Sequence, residues 1–240
     1  MFENRKYRSR AVKEGLVSFT VTVKETNLHI QADSDLTEPA TRAVLSCRNL
    51  VESHIRDYPQ FASTLAPIPA DPFAPSIINE MIRAGQAAGT GPMAAIAGSV
   101  AEYAGRNLLE YTEQVIVENG GDIFIRSHTD TVFTIHAGNS PLSMNAGILI
   151  EKRSKPFALC TSSGTLGHSK SFGKADAVTV LSGHTPLADA AATGLCNMVQ
   201  KERDIEKVIE KGKSIPGVEG LAIIKGKQIG LWGGLQIVKP

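Results

Sequence analysis

The 240-residue sequence predicts an α+β protein in which antiparallel sheets carry helices packed on one face. Two observations carry that prediction. Strand-like runs with alternating apolar and polar residues come as neighbours joined by short turns, as in hairpins. The order strands, helices, strands then begins again near residue 141, with no obvious repeat of sequence. Sheets covered on one side by helices satisfy that order.

Taken along the chain, "GLVSFTVTVKETNLHIQA" alternates on both sides of Lys24 to Asn27 and reads as a hairpin. Helical patterns follow at about 38–57, 75–88 and 92–110. The proline-rich "PQFASTLAPIPADPFAP" between the first two is a long loop, either a linker or a flap. "QVIVENGGDIFIRS" and "TVFTIHAG" return to strand character. In the second round "LSMNAGILIEKR", "FALCTS" and "ADAVTVLS" read as strands, and 186–210 as a helix broken near Arg203. "LAIIKGKQIGLWGG" closes the chain with a hairpin around Lys225 to Lys227. The expected organisation is one domain over 1–240, made of halves at about 1–140 and 141–240, long enough to bury a real core.

Composition narrows the function. Twenty-five Lys and Arg against 24 Asp and Glu leave a formal charge of +1, which gives no field to draw nucleic acid. One Trp, four Tyr and eight Phe are too few for a base-stacking platform. No apolar run is long enough for a membrane span or a signal region, and three widely spaced cysteines suggest neither a disulfide framework nor a zinc site. A reducing cytoplasm is the expected location.

Three constellations offer chemistry. In "ENGGDIFI", Gly120 and Gly121 permit a tight turn or close approach by another molecule, with oxygens from Asn119 and Asp122 beside them. A plain hairpin turn explains the same residues. In "GTGPMAAIAGSVAEYAGRNL", Gly91 caps a helix with Pro92 at its first position. Ala94, Ala97, Gly98, Ala101 and Gly105 then line one face, suited either to a planar ligand or to tight packing on a sheet. The third is "CTSSGTLGHSKSFGKADAVTVLSGHTPLADAAATG". Here Thr161, Ser162, Ser163, Gly164 and Thr165 follow a strand, a placement suited to phosphate or ribose oxygens. Thr185 is the expected cap of the next helix, with Pro186 at its first position. Asp189 and Thr193, four apart, share a helix face. A carboxylate and a hydroxyl are hard donors that suit magnesium, although a dipole-favoured Asp and a back-bonded Thr explain the pair equally.

"VENGGDIFI", "TSSG", a histidine and "ADAAATG", in that order, resemble the ApbE flavin transferase superfamily. "GPMAAIAG" and "CTSSGTLGHSKSFGKAD" are similar to an uncharacterised cytoplasmic branch of it, over nearly the whole chain. The resemblance implies a duplicated T-fold, a nucleotide-like ligand such as FAD or FMN, and magnesium held by Asp189, Thr193 and a backbone carbonyl near Ala97. It also implies ligand binding by Asn119, Gly120, Gly121, Asp122, Thr161, Ser162 and Gly164, beside which Ser163 of the hydroxyl cluster is a further candidate, a catalytic role for His168, and a homodimer joined through sheet edges. The chain departs from the transferase pattern where "SKSFG" replaces "DPxTG" and Ala97-Gly98 replaces a Lys-Gly step. Four readings follow: a magnesium-dependent enzyme acting on a flavin or related nucleotide; a non-catalytic module binding a flavin, pterin or purine; an acyl-transfer pair of Cys160 or Ser163 with His168; and a structural subunit.

Overall fold

The computed structural model describes residues 13–165 and 172–240. Strands β1 (Val17–Val23) and β2 (Thr26–Ala32) form the first hairpin, with Lys24 in the left-handed region at φ 51°. Helices α1 (Thr37–Asp57), α2 (Gln60–Ser63), α3 (Ser76–Ala88) and α4 (Ile96–Leu108) follow. A 3-10 turn at Pro92–Ala95 leads into α4. Strands β3 (Val115–Asn119) and β4 (Asp122–Arg126) complete the first round. Then come β5 (Thr131–Thr134), β6 (Gly147–Ile150), β7 (Phe157–Ser162), β8 (Ala177–Ser182), α5 (Thr185–Met198), α6 (Ile205–Lys213), β9 (Val218–Lys225), β10 (Gln228–Gly233) and β11 (Gln236–Val238).

The main sheet has eight strands in the order β1-β2-β3-β4-β7-β8-β9-β10, and every neighbouring pair is antiparallel. Strand pair, helices, strand pair occurs twice along it, and β4 pairs with β7 where the two rounds meet. That order is compatible with a duplicated T-fold. The helices lie on one face for a simple reason of spacing. In α1 the buried residues are Ala40, Ala43, Val44, Cys47 and Val51, a stripe at three- and four-residue intervals. In β2 they meet Leu28, Ile30 and Ala32, every second residue of the strand. A second helix-side core joins Cys160, Val178, Val180, Leu221 and Ile223 to Leu195, Val208 and Ile209 of α5 and α6.

The other face has its own cover. β11, β6 and β5 form a three-stranded sheet, and Ile148, Ile150 and Leu235 pack with Ile116, Ile125, Leu159, Leu181 and Ile224 of the central strands. The strand-like runs at β5 and β6 therefore belong to this separate layer. The proline-rich stretch contains α2, buries Phe61, and is tied to α3 by Asn79, which donates to the Asp71 and Ala74 carbonyls. Among the described residues no helix is long and apolar enough to cross a membrane.

Candidate functional site

The site begins with the bend between β3 and β4. Gly120 has φ 76°, which glycine adopts without strain. A Cβ on Gly121 would lie 2.5 Å from the Thr161 carbonyl oxygen, and the Thr161 amide donates to the Gly121 carbonyl at 2.9 Å. The bend is thus clamped onto the end of β7. Asn119 donates through Nδ2 to the Ala97 carbonyl at 3.1 Å, joining the bend to the first turn of α4.

Helices α4 and α5 cap one another. Neither has a hydrogen-bonding side chain at its own N-terminus. Instead the Gly98 amide donates to Asp189 Oδ2 at 2.8 Å, and the Thr185 amide donates to Glu102 Oε2 at 2.6 Å. Each carboxylate sits on free amides at the positive end of the other helix. Arg106 pairs with Glu102, whose side chain is buried. Gly98 makes the close approach possible, because a Cβ there would lie 2.6 Å from the Thr185 carbonyl oxygen and 2.9 Å from Asp189 Cβ. Gly105 likewise gives way to the Phe124 ring. At both positions the small-residue face serves packing. Thr185 is not the cap: the helix starts at Thr185 with His184 before it, and Thr185 Oγ1 is buried without a partner. The cap comes from Glu102, 83 residues away.

Asp122 and Phe124 occupy the helix-side face of β4, and across the ladder Asp122 opposes Cys160. Asp122 and Asp189 meet there as a buried carboxyl pair. Burial raises Asp122 to about 7, and burial together with the Asp122 charge pushes Asp189 well above the usual carboxylate range. Among the described residues Asp122 Oδ1 has no hydrogen-bond partner. One turn along α5, Thr193 Oγ1 lies 3.0 Å from Ser162 Oγ.

The structure therefore brings Asn119, Gly120, Gly121, Asp122, Ser162, Asp189 and Thr193 to one place, where β3–β4 and β7 end beneath α5. Thr161 contributes backbone only, since its hydroxyl pairs with Thr179 at 2.9 Å on the sheet's opposite face. Ser163 accepts the Thr165 amide at 3.1 Å, and Gly164 donates to the Ala175 carbonyl at 2.9 Å. His168 lies outside the described residues. Cys160 is fully buried, and burial followed by the Asp122 and Asp189 charges drives its thiol well above 9. A thiol so held is not a nucleophile, which removes the acyl-transfer reading through Cys160. Glu102 is the residue that sequence reasoning missed. Its i,i+4 spacing to Arg106 looks like any solvated pair.

Oxygen donors dominate the site. Among the described residues no group of three or more His, Cys, Asp and Glu gathers as a metal cluster. Two carboxyls, the Thr193 hydroxyl and the Ala97 carbonyl are a donor set suited to magnesium, which takes few protein ligands and completes its shell with water and phosphate. The unpartnered oxygen of Asp122 fits that use.

Comparison with known proteins places the chain. A family model described as "AbpE bacteria" matches residues 8–230. A UPF0280 protein of Methanococcus aeolicus is 38% identical over 226 residues, covering 91% of each chain. Another from Methanocaldococcus jannaschii is 36% identical over 219 residues, covering 89% of each. Among solved structures, the flavin transferase ApbE from Vibrio cholerae superposes with TM-score 0.58 at 14% identity, covering 91% of this chain and 97% of that one. The apo flavinyl transferase ApbE of Pseudomonas stutzeri gives 0.56 at 13% identity, covering 91% and 94%. At such identities the structural likeness shows the fold, whereas the family match and the archaeal relatives show descent: the chain belongs to the ApbE-related family, in the branch of the UPF0280 proteins.

Proposed function

We propose that the protein is a magnesium-dependent enzyme that binds a flavin nucleotide, or a close relative of one, and cleaves its pyrophosphate. The observation that carries this reading is the buried meeting of Asp122 and Asp189, with an unpaired oxygen, among the Gly-Gly bend, the Ser162 and Thr193 hydroxyls and the first turn of α4. A purely structural site would have left that carboxylate oxygen paired or replaced it by an apolar group, because an unsatisfied buried acceptor costs about 1–3 kcal/mol. The fold shared with flavin transferases supports the choice of a flavin nucleotide as ligand class.

In this reading Asp189 and Thr193 hold the cation together with the Ala97 carbonyl. Bound there, magnesium would offset the charge of the pyrophosphate. The clamped glycine bend lets a ligand approach the backbone, and Asn119 fixes the Ala97 carbonyl in place. His168 is the proposed general base, on the family resemblance alone. Because "SKSFG" stands where the transferases have "DPxTG", hydrolysis to FMN and AMP is a more direct expectation than transfer to an acceptor protein. The second reading, a module that binds without turnover, draws on the same departure.

One experiment separates them. Purified protein is incubated with FAD and magnesium, and AMP is followed by chromatography. AMP release that is lost in Asp189→Ala supports the enzyme. A stable, uncleaved complex supports the module. No binding of FAD or FMN by calorimetry overturns both in their flavin form.

A further inference from the structure

We infer that Asp122 is itself a ligand of the divalent cation, completing with its unpaired Oδ1 the site that Asp189 and Thr193 open on α5. The inference rests on the cation proposed above and adds a residue from the opposite wall of the site.

Satisfied and unsatisfied oxygens stand side by side in the site. Asp189 Oδ2 is already engaged by the Gly98 amide, and Thr193 Oγ1 by Ser162. Asp122 is 8% exposed; its carboxyl hydrogen-bonds with Cys160 and Asp189, but among the described residues nothing donates to its Oδ1. Charge cannot be left in that position without an opposite charge or a proton, and the carboxyl beside it has the same sign. A divalent cation removes the conflict, since it binds both carboxylates and neutralises both. Thr185 Oγ1 is a further buried oxygen without a partner in the same layer. The carbonyl of Thr185 accepts from Cys160 Sγ at 3.7 Å, and Cys160 is the residue opposite Asp122 on β7. Nearby lie the Glu118 carboxylate, which acts on Asp122 from its own hairpin, and the Cys160 thiol. Among the described residues, no Lys, Arg or His acts on Asp122.

The test is titration of the full chain with manganese(II), with the free ion followed by electron paramagnetic resonance. Wild type is expected to bind one ion. Asp122→Asn, which keeps the shape and removes the charge, is expected to weaken binding about tenfold or more, and Asp122→Ala at least as much. Asp122→Asn also relieves like-charge repulsion, so its metal-free melting temperature should equal or exceed that of wild type. Weak binding by a variant that melts so is therefore not a folding defect. Both variants binding manganese within twofold of wild type, while Asp189→Asn loses it, would overturn the role of Asp122 and leave the cation reading intact. A folded wild-type protein that binds no manganese would overturn the cation reading and this inference with it.

Discussion

Replacing Gly98 by Ala tests the contact on which the site's geometry depends. An added Cβ would lie 2.6 Å from the Thr185 carbonyl oxygen and 2.9 Å from Asp189 Cβ. One of these atoms is backbone, so no side-chain rotation relieves the clash, and α4 and α5 must separate. Overpacking of this kind costs about 1–3 kcal/mol. Separation also lengthens the bond from the Gly98 amide to Asp189, which works as a cap worth about 1 kcal/mol. Against this, alanine favours a helix over glycine by up to about 1 kcal/mol. The balance is a loss of about 2 kcal/mol. For a chain of this size that lowers the melting temperature by roughly 4–8 °C. Thermal denaturation followed by circular dichroism measures it. Gly89→Ala is the control: φ is 72° with nothing within 4 Å, so it carries backbone strain without a clash and should cost only about 1 kcal/mol. A Gly98→Ala protein melting at or above wild type would refute the tight α4–α5 contact.

Other predictions concern the carboxylates and thiols. Glu102→Ala leaves the Thr185 amide without an acceptor, and should destabilise by about 2–3 kcal/mol in urea denaturation; Glu102→Gln retains an acceptor and should lose less. Raised pKa values at Asp122 and Asp189 mean that the folded state holds protons more tightly than the unfolded one. The stability this adds is complete below the unfolded value of 3.8 and is lost as pH rises through the folded one, about 7 for Asp122. The metal-free melting temperature should therefore fall as pH rises from about 4 to about 7, and less steeply in Asp122→Asn. Cys47, Cys160 and Cys196 are buried and form no disulfide, so iodoacetamide should leave all three unmodified in the native protein and alkylate them in urea.

The hairpins and the long helices were legible because their signals are local. Alternation in "VSFTVTV" and the stripe Ala40, Val44, Cys47, Val51 each report one face of one element. The meeting of Asn119, Asp122 and Asp189 was legible only as motifs in a familiar order, and no spacing rule brings residues so far apart together. Two features had no local trace. Strand β11 has three residues and pairs with β6 far back in the chain, so the second layer was hidden. The mutual capping of α4 and α5 was hidden too. The acceptor for Thr185 comes from Glu102 and that for Gly98 from Asp189, each from another element. A sequence shows only caps made within their own turn, so it points to Thr185 as a cap, a role that its hydroxyl does not play.

Anomalous diffraction from crystals soaked in manganese and FAD would test the heart of this account most directly. The expected result is a manganese peak bonded to Asp189 and Thr193, with flavin phosphate density beside the Gly120-Gly121 bend. A peak elsewhere on the molecule, or flavin bound on another face with this carboxyl pair still closed on itself, would contradict it.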